Sequence, residues 1–172
     1  MADHSWNTME FFETATVAAV TTCLNSGADV NAQDQSGYTP LHYAVAFNSD
    51  PAVAKTLLKA GADLQARDHE WGATPLHWCA WANKNPSVII ALLESGAEPN
   101  VQDKGGGTPL HAAVLNNSNP AIVIALLDAG AKTGIRDQEE DKTPLDYASE
   151  NTALKDSNAY RRLVEQSAAP GQ

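Results

Sequence analysis

The sequence is poor in basic residues and has no long apolar run. It contains 11 Lys and Arg against 21 Asp and Glu, which gives a formal net charge of −10. Nucleic-acid phosphates repel a chain of this charge, because their binding depends on lysine and arginine. No stretch approaches the roughly 20 apolar residues of a membrane-spanning helix. We therefore predict neither a nucleic-acid partner nor membrane insertion.

The N-terminus also lacks a recognisable leader. Met1 to His4 show neither the basic nor the apolar part of a signal peptide. This favours a cytoplasmic location, although a leader could have been removed.

Cysteine is scarce, and no catalytic arrangement stands out. Cys23 and Cys79 lack the spacing of metal ligands, so we expect both to be reduced, buried apolar residues. A Gly-Lys-Ser/Thr phosphate motif is absent, and Gly105-Gly106-Gly107 lacks the lysine and the helix that such a loop needs. We predict no cofactor, no bound metal and no enzymatic activity.

One motif, by contrast, recurs at a nearly fixed interval. Thr-Pro-Leu-His occupies residues 39–42, 74–77 and 108–111, and Thr143 begins a fourth copy that ends in Asp146. The threonines are 35, 34 and 35 residues apart. A period of this length indicates a stack of small units rather than one globule.

The residues around each motif predict two helices and a loop. Twelve residues after each of the first three threonines comes a proline, preceded by a helix-capping residue: Asp50, Asn85 or Asn119. A glycine then ends this second helix. In the loops, glycines two residues before the threonine indicate turns with positive φ, and Asp141 takes that place in the last unit.

These motifs resemble those of the ankyrin repeat family over about residues 7–166. The resemblance implies an all-α solenoid of helix-turn-helix units with β-hairpin-like loops, about five units including atypical capping repeats. The expected division is a flexible N-terminus (1–6), an N-terminal capping repeat (7–36), three repeats (37–70, 71–105 and 106–140), a C-terminal capping repeat (141–166) and a flexible tail (167–172). One departure is a turn between the helices, Asn48 to Pro51 in the first copy, that is one residue longer than usual.

The histidines of the motif suggest a structural role. Stacked units would hold His42, His77 and His111 about 10 Å apart, too far for a shared metal ion with bonds of about 2 Å. We predict that each imidazole hydrogen-bonds backbone groups near its own threonine and in the adjacent loop.

The positions that vary between units predict the binding surface. In ankyrin proteins the partner lies along the loop tips and the inner, concave face of the first helices. The candidate partner-binding residues there are Tyr38, Phe47, His69, Trp71, Trp81 and Leu115. We expect Tyr38 and Trp71 to be exposed, whereas Phe47 and Trp81 could be exposed or packed. The residues four after each threonine, which we interpret as core, are Tyr43, Trp78, Ala112 and Tyr147.

The resulting hypothesis is a non-enzymatic module that binds another protein and is monomeric by itself. An acidic rim at Glu139, Glu140 and Glu150 would lie beside the aromatic residues. Two alternatives stay open at this point. One is a natural or engineered scaffold without a single dedicated ligand, and the other is an enzyme with a cleft on the concave face.

Overall fold

Ten α-helices in five antiparallel pairs make up the computed structural model, which describes residues 6–168; none of these residues lies in a β-strand. The first helices of the pairs are α1 (Met9–Thr14), α3 (Pro40–Phe47), α5 (Pro75–Ala82), α7 (Pro109–Asn116) and α9 (Pro144–Ala148). The second helices are α2 (Val17–Asn25), α4 (Pro51–Lys59), α6 (Pro86–Glu94), α8 (Pro120–Asp128) and α10 (Asn158–Ser167). The predicted all-α solenoid is confirmed.

Side-chain caps fix where these helices begin. Thr39 precedes Pro40, and its hydroxyl accepts from the His42 N–H. Asp50 precedes Pro51, and its carboxylate accepts from the Ala52 N–H at 2.9 Å. Each cap satisfies one of the first-turn N–H groups that have no partner within the helix, which explains why the helices of the three middle units begin at equivalent residues.

The helices form two layers with the core between them. Each first helix contacts the next first helix, and each second helix contacts the next second helix. Leu41, Leu76 and Leu110 enter the core from the first layer, and Leu57 and Leu92 enter it from the second. Burying such a side chain contributes about 2 kcal/mol, so stability comes from contacts between neighbouring units.

The loops between units turn where the sequence predicts. Gly37, Gly72 and Gly106 have φ of 82°, 65° and 78°, and Asp141 has φ of 53°. One backbone hydrogen bond joins each described loop to the next; for example, the Lys104 N–H donates to the Trp71 carbonyl at 2.9 Å. The loop tips therefore form a continuous edge beside the first helices.

The ends of the stack differ from our expectation where they can be compared. Trp6, assigned to the flexible N-terminus, is only 4% exposed because it packs on Phe11 and Phe12, with ring centroids 6.3 and 5.9 Å away. At the other end α10 includes Ser167, the first residue of the predicted tail, and begins after the capping residue Ser157. The other residues of the two segments that we predicted to be flexible are 1–5 and 169–172, apart from Ala168, the residue that caps the end of α10. Residues 1–5 and 169–172 lie outside the described residues.

The two cysteines differ in burial. Cys79 is fully buried, and burial raises the pKa of its thiol, whereas Cys23 is only half-buried, contrary to our expectation. Cys23 lies on α2 of the first unit, whose helix buries only Val20 completely. Between residues 6 and 168, no helix combines the length and the apolar character needed to cross a membrane.

Candidate functional site

The three motif histidines brace the corner between loop and helix. In His42 the Nδ1 atom accepts from the Thr39 N–H at 3.1 Å, and Nε2 lies 3.3 Å from the Ala73 carbonyl in the next loop. His77 and His111 repeat this arrangement toward the carbonyls of Gly107 and Lys142, both at 3.2 Å. The predicted structural role is confirmed, and these side chains are committed to the fold.

Asp146 replaces the histidine in the last unit for a structural reason. Its Oδ2 accepts from the N–H and the hydroxyl of Thr143, both at 2.8 Å, so it supplies the same cap as Nδ1 of a histidine. Among the described residues the Asp146 carboxylate bonds only to Thr143, so it caps its own helix without bracing a second loop. These bonds to Thr143 lower the pKa of the Asp146 carboxyl.

A row of buried asparagines in the long turns also joins the units, and sequence reasoning missed it. Asn83 Nδ2 donates to the carbonyls of Val45 and Asn48 in the preceding unit, both at 2.8 Å. Asn48 and Asn117 make the equivalent pair of bonds. The signal was the asparagine period of 35 and 34 residues. The longer turn therefore contributes to the stability of the stack.

The loop aspartates pair with aromatic residues of the first helices. Asp34 accepts from the Tyr43 hydroxyl at 2.5 Å, and Asp137 accepts from the Tyr147 hydroxyl at 2.6 Å. Asp68 accepts from the Trp78 indole N–H at 2.9 Å. These positions are half-buried, and Tyr43 and Tyr147 pack against the buried core, so they lie at the edge of the core rather than within it as we had interpreted them.

Tyr38 belongs to this same layer and is half-buried, which contradicts the predicted exposure. Its ring meets Trp78 edge to face with centroids 5.2 Å apart, and it lies 5.5 Å from Tyr43. Burial, followed by the nearby charges of Asp68, Glu70 and Asp34, raises the pKa of its hydroxyl to about 12. Phe47 stacks beyond Tyr43 at 6.4 Å, yet it remains 38% exposed.

The remaining candidates are exposed. Trp71 and Trp81 are 51% and 40% exposed, and Leu115 is 48% exposed. His69, at a loop tip, is also exposed, and its ring lies against the loop before it, with Nδ1 3.3 Å from the Gln35 carbonyl. We call Phe47, Trp71, Trp81 and Leu115 the aromatic surface. Its members make no side-chain hydrogen bond among residues 6–168.

A cavity of about 390 Å³ opens between the first helices α5, α7 and α9 and their loops. Trp71, Trp81 and Leu115 line it, whereas Tyr38, Phe47 and His69 do not. Its floor includes Ala112, at the position that Tyr43, Trp78 and Tyr147 occupy in the other units. Within residues 6–168 no three His, Cys, Asp or Glu side chains are grouped as metal ligands.

Comparison with known proteins agrees with this architecture. A putative ankyrin repeat protein of fowlpox virus is 46% identical over 46 residues, which are 27% of this chain and 9% of that protein. The ankyrin repeat and LEM domain-containing protein 1 homolog of Caenorhabditis elegans is 47% identical over 55 residues, 32% of this chain and 8% of that protein. An ankyrin repeat-containing protein of Schizosaccharomyces pombe is 40% identical over 47 residues, 27% of this chain and 22% of that protein.

Each of these relatives is much longer than the segment that it shares with this chain, so the similarity covers only ankyrin repeats and not the whole of those proteins. The family model for ankyrin repeats in three copies matches residues 13–103 and 76–171, which together span most of the sequence. The helices from α2 onward, the threonine caps of the recurring motif and the histidine braces all lie within these matched residues. The chain belongs to the ankyrin repeat family.

Proposed function

We propose that this chain is a non-enzymatic module that binds a partner protein through the aromatic surface and the adjoining loop tips. Ankyrin repeats generally act as protein–protein interaction modules, and the family is typically non-enzymatic. The observation that carries the proposal is the exposure of Trp71, Trp81 and Leu115 around one cavity. The framework does not need these side chains, because its caps and braces are made by other residues.

The energy available at this surface is large enough for recognition. Covering one exposed ring contributes roughly 2–3 kcal/mol by area alone. Tryptophan is also enriched among the residues that dominate protein interfaces. Three large apolar side chains around one cavity therefore offer a binding centre, whereas the exposed Ile90 and Val164 lie on the second helices, away from it.

Charge narrows the kind of partner. Glu139 lines the cavity, and the net charge of the chain is −10. Glu140 and Glu150, expected in the acidic rim, both contact Lys142, at 2.6 and 3.4 Å, so their charge is partly balanced. A basic or neutral partner surface suits this environment, since complementary charge increases association rates and disfavours acidic partners.

The test compares matched surface variants. Trp71→Ala with Trp81→Ala removes two exposed rings and should leave the melting temperature within about 2 °C, because exposed substitutions change stability little. Affinity capture from native cell extract, read by mass spectrometry, should lose the proteins that the wild type retains. Ile90→Ala is the control, since it removes an exposed apolar side chain from α6. Unchanged capture by the double variant would refute the proposed surface.

A further inference from the structure

The cavity exists because one unit departs from the pattern of its neighbours. Four residues after the threonine, Tyr43, Trp78 and Tyr147 place a ring above the core, but α7 has Ala112. Gly105 and Gly107 in the preceding loop also carry no side chain that could fill this space. The volume between Trp78 and Tyr147 is therefore open to solvent.

The aspartate of this unit retains the geometry of the others. Asp103 Oδ1 accepts from the N–H groups of Gly105 and Gly107 at 2.9 and 2.8 Å. In the same way, Asp34 Oδ1 accepts from two N–H groups of its own loop, while Asp34 Oδ2 accepts from Tyr43. No group between residues 6 and 168 donates to Asp103 Oδ2, although Asp103 lines the cavity.

We infer that the cavity binds a tyrosine or tryptophan side chain of the partner, whose O–H or N–H donates to Asp103 Oδ2. The inference rests on the proposed function and specifies what the partner inserts. The bound ring would occupy, from the partner's side, the place that Tyr147 and Trp78 fill from within their own units. Each of these internal rings donates one hydrogen bond to its loop aspartate.

The walls of the cavity suit an aromatic ring. Trp78, Trp81 and Tyr147 line it together with Leu115, and aromatic rings attract one another in edge-to-face and offset arrangements. A volume of about 390 Å³ lies within the range of sites that bury small molecules, so a ring and part of its backbone fit. Among the lining residues, Asp103 supplies the carboxylate oxygen Oδ2 that would accept from the ring's donor and orient it.

A lysine or arginine side chain of the partner is disfavoured as the occupant of the cavity, although carboxylates line it. Lys142 Nζ already lies 4.9 Å from the centroid of the Tyr147 ring, where it is held by Glu140 and Glu150. A second cation against this ring would be repelled by Lys142. The occupants of the equivalent positions in this chain are also neutral donors, never lysine or arginine.

The direct test is titration of the whole chain with N-acetyl-tyrosinamide, followed by NMR of the tryptophan indole N–H signals. We expect saturable shifts of the Trp78 and Trp81 signals with a Kd of about 1 mM. N-acetyl-phenylalaninamide, which lacks the donor, and N-acetyl-argininamide should bind at least tenfold more weakly. The inference is overturned if N-acetyl-tyrosinamide gives no saturable shift, or if either comparison compound binds as tightly.

Two substitutions test the geometry. Asp103→Asn keeps an oxygen for the two glycine N–H groups but replaces the second oxygen by a donor, so tyrosinamide binding should weaken about tenfold while phenylalaninamide binding stays unchanged. Ala112→Tyr should fill the cavity from within and abolish probe binding, with Ala112→Ser as the control that leaves the cavity open. Circular dichroism establishes that each variant is folded. Equal affinity of Asp103→Asn and wild type for tyrosinamide would overturn the role of Asp103.

These experiments separate this inference from the proposed function. If Trp71→Ala with Trp81→Ala loses partner capture while Ala112→Tyr retains it, the surface binds a protein but the cavity does not receive its side chain. In that case the inference fails and the proposed function stands. If the double variant captures the same proteins as the wild type, the proposed function fails, whatever the probe titration shows.

Discussion

Mild acid should destabilise this chain through its histidine braces. His42 is buried, its Nδ1 accepts from the Thr39 N–H, and its Nε2–H donates to the Ala73 carbonyl. A proton on Nδ1 would point at the Thr39 N–H, so the fold requires the neutral ring. Burial lowers the pKa of His42 from 6.5 to about 4, although the bond to Ala73 partly opposes this shift. Burial also lowers the pKa of His77 and His111.

The sign of the effect follows from where the proton binds. Above pH 6.5 the His42 ring is neutral in both states, and its full stabilisation is present. Between pH 6.5 and about 4 the unfolded chain binds a proton that the folded chain rejects, so stability falls as the pH falls. At pH 5 this costs about 2 kcal/mol for His42 alone, which lowers the melting temperature by roughly 4–8 °C.

The assay is urea denaturation at pH 7.5 and pH 5, on wild type and on His42→Gln. Glutamine does not titrate, and both proteins share the same background of other charges. The wild type should therefore lose about 2 kcal/mol more than the variant between the two pH values. Carboxylates with a lowered pKa, such as Asp137 and Asp146, titrate below this window. Equal pH dependence in the two proteins would refute the role of His42 buried as a neutral brace.

Two further predictions concern the stability of the stack. Asn83→Ala removes two hydrogen bonds to buried carbonyls and the acceptor for the Asn85 N–H, so it should lower the free energy of unfolding by about 3–5 kcal/mol in urea denaturation. The control Asn31→Ala breaks similar but exposed bonds to Gly61 and Asp63, and should lower it by less than about 1 kcal/mol. Equal losses in the two variants would contradict this prediction. Hydrogen exchange should be fastest in residues 143–166, because α9 has only five residues and, among the described residues, this unit packs only on the unit before it. The strongest protection in these residues would contradict this prediction.

The framework could be predicted because its signals are local and repeated. A threonine followed by a proline indicates a helix start from these two residues alone. In the same way, Gly37 indicates positive φ from its place in the loop alone. The brace made by His42 was also predictable, since repetition places an adjacent loop beside every motif histidine. The unit boundaries given by sequence alone remain a prediction.

The aromatic positions could not be resolved in the same way, because exposure depends on which side of the turn glycine a residue lies. Tyr38 follows Gly37 and packs over Trp78 of the next unit. Trp71 precedes Gly72 at the tip of its loop and is 51% exposed. Residue type alone does not distinguish Tyr38 from Trp71, because both are aromatic residues of a loop. The cavity at Ala112 was visible only as a small residue in an aromatic register, and its meaning required the position of Asp103.

The separation between framework and surface explains how this one unit can differ. The bonds that join the units run from Asn83 or His77 to backbone carbonyls, which every residue type provides. They therefore place no demand on the side chains four or seven residues after the threonine. Ala112 removes a ring and a hydrogen bond to Asp103, yet the caps and braces on both sides of α7 remain complete. Recognition can therefore change at these positions while the stack keeps its geometry.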